Sequence, residues 1–169
     1  MNQDNNFGLS TLPQTYSTAL EKDVQLQVVV FNLGEEIYAV PVTRVQEIVR
    51  LQPITIIPRA PEYVLGMTNL RGQVIPVIDL VKRLGLGQVQ QTKASRIMVA
   101  ELPGQMVGMM VDNVISVAQL PRSKIEPPPP VVRSVDSQFI EGLSHYQDNL
   151  LILLDLDKVL TRPVEVSDT

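Results

Sequence analysis

The chain carries one pattern twice. Displaced by 69 positions, residues 28–61 fall on residues 97–130 without a gap. Leu33 then meets Leu102, Val42 meets Val111, Val45 meets Val114 and Leu51 meets Leu120, while Ile56, Pro58 and Pro61 meet Ile125, Pro127 and Pro130. Displaced by 76 positions, Gly66, Asp79, Leu80, Lys82 and Leu84 fall on Gly142, Asp155, Leu156, Lys158 and Leu160. The seven-residue difference is an insertion: 11 residues separate Pro130 from Gly142, against four between Pro61 and Gly66. A two-fold repeat implies two similar lobes with a seam between them. A lobe of this size is marginal alone, since a domain of about 60 residues buries only about 60% of its unfolded surface. The lobes are therefore expected to share a core. The repeat is also an internal control. Positions where the copies agree serve the fold, and positions where they diverge are where function can have acted.

Within each copy the pattern reads as strand. Residues 24–33 and 37–42 flank the turn Gly34-Glu35, and residues 97–102 and 106–111 flank Pro103-Gly104. Runs rich in β-branched residues around a short turn form hairpins. Residues 45–51 and 114–120 follow as third strands. A second hairpin joins residues 65–70 to 74–78 through Arg71-Gly72, and its copy turns at Asp148-Asn149; these residue types tolerate φ > 0. The unalternating apolar run 150–154 reads as a strand covered on both faces. Asp79 and Asp155 each precede a leucine and an apolar residue at helical spacing, the pattern of an N-cap. Gly66, Gly72 and Gly142 read, with these two aspartates, as structural turn or cap residues. Five short strands and one short helix, twice over, predict a mainly all-β chain: two similar small five-stranded barrels of the SH3/OB type, packed together. Closure removes exposed sheet edges. Residues 1–23 read as a polar tail, 24–162 as one domain with lobes at about 24–91 and 92–162, and 163–169 as a frayed end. Strand exchange between the lobes is an open alternative.

Chemistry is sparse. The chain has no cysteine, so thiolate nucleophiles, disulfides and cysteine metal sites are excluded. His145 is the single histidine. It has no nucleophile-elbow motif to serve. No glycine pattern approaches a phosphate loop. A net charge of −4 argues against a nucleic-acid partner, no apolar run approaches the ~20 residues of a membrane helix, and the first residues lack a signal-peptide pattern. No cofactor, metal site or catalytic residue is expected. Residues 127–130 read as a rigid extended connector, a polyproline ligand being the alternative.

One surface feature breaks the repeat. The first copy has Asn69 and Arg71 where the second has His145 and Gln147, and Glu47 where the second has Ser116. A guanidinium at a hairpin tip is not demanded by the turn, and it suits bidentate pairing with carboxylate. With Val45 and Glu47 read on one face of their strand, Glu47 is the expected partner of Arg71.

At these residues the chain resembles the CheW-type chemotaxis coupling proteins. The carriers are Asn69-Leu70-Arg71-Gly72 followed by Val74-Ile75-Pro76-Val77-Ile78-Asp79-Leu80, the segments Tyr38-Ala39-Val40-Pro41-Val42 and Val45-Gln46-Glu47-Ile48, and Val111-Asp112-Asn113-Val114. The resemblance covers residues 24–161. It implies two packed five-stranded barrels and a non-enzymatic cytoplasmic adaptor, recruited to membrane-bound receptor arrays. The implied partners are the cytoplasmic tips of methyl-accepting chemoreceptors and the regulatory domain of a CheA-type histidine kinase. Val45, Glu47, Arg71 and Val74 match the contact region: the valines as apolar contacts for a receptor helix, the charged pair orienting the surface. A parallel pathway such as type IV pilus motility is the alternative setting.

Overall fold

The computed structural model describes residues 24–87, 90–132 and 135–160. The readings made for 1–23 and 163–169 lie outside these residues. Strands β1 (Gln25–Leu33) and β2 (Glu36–Pro41) form the first hairpin, β3 (Val45–Arg50) follows, and β4 (Val64–Leu70) and β5 (Gln73–Asp79) form the second hairpin. Helix α1 (Leu80–Arg83) ends the first copy. The second copy runs β6 (Arg96–Leu102), β7 (Gln105–Val111), β8 (Asn113–Pro121), β9 (Val131–Val132), β10 (Val135–Asp136), β11 (Ile140–Tyr146), β12 (Asn149–Leu154) and α2 (Leu156–Leu160). The pair β9–β10 lies in the stretch between Pro130 and Gly142 that is longer in the second copy.

The pairing of strands does not follow the repeat. One sheet has the order β11-β12-β2-β1-β8 and the other β3-β6-β7-β5-β4. Each sheet takes its first hairpin from one copy and its remaining three strands from the other. The two hairpins within a sheet join through one parallel pair, β12 with β2 and β5 with β7.

Each sheet is closed into a barrel by the chain after its third strand. Thr55 exchanges two 2.8 Å hydrogen bonds with Met67 on β4, and Glu126 exchanges two of 2.8 Å with Leu143 on β11. These crossings explain two glycines. A Cβ on Gly66 would lie 2.1 Å from the Thr55 carbonyl oxygen, and one on Gly142 would lie 2.6 Å from Ile125 and 3.0 Å from the Glu126 carbonyl oxygen. Both sit inside strands, at register shifts next to the crossing segment, so their structural role is close approach and not a turn. The crossings also correct the repeat alignment beyond Leu51. Ile54 and Thr55, not Ile56 and Ile57, occupy the places of Ile125 and Glu126. Ile56 is accordingly 80% exposed. The second copy's turn is Gln147-Asp148, one residue earlier than its composition indicated; both residues have φ > 0, as do Arg71 and Gly72.

Alternation divides the apolar residues among three cores. Val28, Val30, Leu151 and Leu153 fill one barrel. Ile75, Val77, Ile97, Val99 and Met110 fill the other. The largest cluster lies between them and takes Val29, Phe31 and Tyr38 from one sheet and Met98, Ala100 and Met109 from the other. Strand β12 is buried from Leu151 to Leu154, since it serves one barrel on one face and the shared core on the other. Asp79 accepts a hydrogen bond from the Lys82 N–H at 3.1 Å. Asp155 accepts from Asp157 and Lys158 N–H. Both aspartates cap helices, which satisfies donors the first turn leaves open.

Candidate functional site

The site forms where the two edges of the second barrel meet. Strands β3 and β4 are the outermost strands of that sheet, and curling brings the β4–β5 turn against β3. Arg71 and Gly72 occupy left-handed conformations, φ 53° and 84°, the geometry that matches a two-residue turn to the twist of its strands. Asn69 Oδ1 accepts the Gly72 N–H at 2.8 Å and fixes the turn. From there Arg71 Nη1 donates to Glu47 Oε2 at 2.6 Å. The pair is lopsided: the Arg71 side chain is 73% exposed and that of Glu47 22%. Glu47 therefore acts as an anchor. It holds the guanidinium by one nitrogen and leaves the other donors facing outward, where they suit a carboxylate or carbonyl of a partner.

The other copy bridges the same seam without charge. Ser116, at the position of Glu47, lies 2.8 Å from the Tyr146 hydroxyl beside the second hairpin's tip. The fold thus calls for a tie between third strand and hairpin, and a neutral hydrogen bond supplies it. The ion pair of the first copy exceeds that need.

Val74 stands on β5 opposite Asn69, 58% exposed on the outer face of the barrel and close to the tip. Its counterpart Leu150 is half-buried against the shared core. Val45 departs from its expected place. Val45 pairs with Ala100 and Glu47 with the adjacent Val99, with a register shift between them. Gln46 is the extra residue of a β-bulge, which sends Val45 and Glu47 to opposite faces. Val45 packs, half-buried, at the junction of the barrels, while Glu47 and Val49 face the interior of their own barrel. The reading that Val45 and Glu47 share a face is therefore corrected.

Some surface residues had escaped the sequence reading. Ile48 is 37% exposed, and its counterpart Val117 on β8 is 54% exposed, beside Ile115. Gln46 occupies the place of Ile115 and bonds Glu101 at 2.8 Å. The signal was present in the repeat: edge strand β3 carries Glu47 and Arg50, whereas edge strand β8 carries no charge at all. His145 lies exposed on β11, and its imidazole makes no hydrogen bond among the described residues. No helix among them is long and apolar enough to cross a membrane.

Comparison with known proteins agrees with this architecture. The family model described as the CheW-like domain matches residues 27–164. The chain is 35% identical over 136 residues to the chemotaxis protein CheW of Bacillus subtilis, covering 80% of this chain and 87% of the relative. It is 32% identical over 143 residues to CheW of Treponema pallidum, covering 82% and 84%. The crystal structure of the scaffolding protein TtCheW from Thermoanaerobacter tengcongensis superposes with a TM-score of 0.74 at 43% identity, covering 79% of this chain and 86% of that one. With the paired β-barrels and the hairpin motif in place, these matches show that the chain belongs to the CheW-like domain family, the family of chemotaxis scaffold proteins.

Proposed function

We propose that this chain is a non-enzymatic adaptor. It joins the cytoplasmic tips of chemoreceptors to the regulatory domain of a CheA-type histidine kinase and passes receptor state through interface geometry. It works in the cytoplasm, at membrane-bound receptor arrays. The observation that carries the reading is the contrast between the two seams: Glu47–Arg71 at 2.6 Å, with Arg71 mostly exposed, against the neutral Ser116–Tyr146 tie. Arg71 and the adjoining Val74 present an anchored cation and an apolar contact at the hairpin tip, the mixture from which interface hot spots are built. Val45 would meet a receptor helix lying along the junction of the barrels. A parallel chemosensory pathway, such as type IV pilus motility, is the alternative setting; the chain is also 32% identical over 99 residues to protein FrzA of Myxococcus xanthus.

The test is a pull-down of the full chain with the cognate kinase regulatory domain and a receptor cytoplasmic fragment, separately and together. Saturable binding to both and a ternary complex are expected, with Arg71→Glu folded but defective in one or both. Failure of the folded parent to bind either partner would overturn the proposal.

A further inference from the structure

The two copies are related by a local two-fold axis, and one charged side chain stands on it. Displaced by 76 positions, Tyr63 falls on Phe139 and Arg83 on Val159. The two aromatic residues occupy equivalent places: the Tyr63 carbonyl oxygen accepts the Asp79 N–H at 2.7 Å, and the Phe139 carbonyl oxygen accepts the Asp155 N–H at 2.9 Å. Arg83, the last residue of α1, lays its guanidinium over both rings, 4.7 Å from the centroid of Tyr63 and 5.0 Å from that of Phe139. Its Nε donates to the Val159 carbonyl oxygen at 2.7 Å and its Nη2 to that of Lys158 at 3.3 Å. A residue that touches its own counterpart, between two rings that are counterparts of each other, lies at the axis relating the copies.

The axis explains why the copies diverge at this position. Arginine at both places would press two like charges onto one pair of rings, and Val159 leaves the place to a single cation. The same contacts cross from barrel to barrel. Tyr63 and α1 adjoin β4 and β5 of one sheet, whereas Phe139 and α2 adjoin β11 and β12 of the other. Apolar burial in the shared core holds the barrels together, but that attraction is non-directional. A planar guanidinium with its donors in a fixed fork is directional, and stacking between two rings constrains it further. The other ionic tie to α2, Arg44–Asp157 at 2.9 Å, has its carboxylate 72% exposed and contributes little.

We infer that Arg83 is a positioning residue that sets the alignment of the two barrels. It pins α1 and Tyr63 of one barrel to Phe139 and α2 of the other. It thereby fixes the junction where Val45 of β3 and Val114 of β8 both pack on the shared core. The molecule then acts as a rigid bracket. The use of that rigidity in joining two partners rests on the adaptor reading; the alignment itself does not.

The experiment measures distances between the barrels in the full chain, free of partners, by pulsed electron paramagnetic resonance. The chain has no cysteine, so introduced pairs take nitroxide labels at chosen sites alone. Gln73→Cys with Gln119→Cys, and Arg50→Cys with Gln27→Cys, each put one exposed label on either sheet. Narrow distance distributions are expected for both pairs. Arg83→Ala should broaden at least one of them roughly twofold or shift its mean. Arg83→Met fills the same space without charge or donors; it should do likewise, and it carries the test if Arg83→Ala fails to fold. Arg83→Lys keeps the cation over the rings but loses the fork, and should fall between these variants and the parent. Val30→Ala lies in the core of one barrel; it costs stability without touching the axis and should leave both distributions unchanged. Circular dichroism reports whether each variant is folded. Three results would overturn the inference. The parent itself could give broad distributions. The folded Arg83 variants could reproduce the parent's distances. Val30→Ala could broaden them equally, which would reduce the effect to lost stability.

Discussion

Replacing Arg71 by glycine separates what the hairpin tip does for stability from what it does for recognition. Arg71 sits at φ 53° and its counterpart Gln147 at φ 50°, so each pays the cost of a side chain in the left-handed region, ~1–2 kcal/mol. Glycine removes that cost and returns ~0.5–1 kcal/mol through the greater freedom of the unfolded chain. Gln147→Gly should therefore leave stability unchanged or raise it by up to ~1 kcal/mol, with the Ser116–Tyr146 tie intact. Arg71→Gly also loses the Glu47 contact. For a pair with the arginine 73% exposed, that loss is at most ~1 kcal/mol. It should come out near neutral, within ~1 kcal/mol of Gln147→Gly. Urea unfolding of both variants, with m-values compared to establish a common unfolding transition, gives the stability half. Binding to the kinase regulatory domain and the receptor fragment gives the other: Arg71→Gly should lose binding and Gln147→Gly should keep it. An Arg71→Gly deficit of more than ~2 kcal/mol relative to Gln147→Gly would refute the reasoning, because the ion pair would then be a structural latch.

Four further outcomes follow from the geometry. Gly66→Ala places a Cβ against the Thr55 carbonyl and breaks the two Thr55–Met67 hydrogen bonds. A loss of ~2–4 kcal/mol in chemical denaturation is expected from those bonds and the displaced backbone. Val45→Ala should cost ~1 kcal/mol, because Val45 packs on the shared core. Val74→Ala should change stability by less than ~0.5 kcal/mol while weakening partner binding, measured by calorimetry. Arg83 lies between the Tyr63 and Phe139 rings, at 4.7 and 5.0 Å, and donates to the Val159 carbonyl oxygen at 2.7 Å. Arg83→Ala should lower the thermal midpoint by several degrees through loss of both stacking and the tie to α2.

The repeat, the five main strands of each copy, the Arg71-Gly72 turn and the two aspartate caps were legible in the sequence because each depends on residues near one another along the chain. Side-chain alternation, turn residues and first-turn acceptors declare themselves locally. The Glu47–Arg71 contact was legible for a different reason: the copies diverge at both positions together. Val45 was misplaced because a β-bulge is a property of two paired strands. The burial of β3 alternates evenly along its length, yet the residues covered at its start face the neighbouring barrel and those further along face the interior of their own. The two-residue offset at Ile54 likewise depends on where a closing segment meets β4, a contact across the barrel.

The sequence by itself determined that this chain makes two like sets of short strands, that they must share a core, and that no thiol chemistry is available to it. Only the tertiary structure decided which strand pairs with which. Because the copies are alike, a hairpin finds equivalent edges in its own repeat and in the other. Local pattern does not choose between them. The choice is made by the shared core, where Phe31 and Tyr38 of one sheet pack in one cluster with Met98 and Met109 of the other. Crossing the strands between barrels builds that core from both copies, and neither barrel is complete without strands from each.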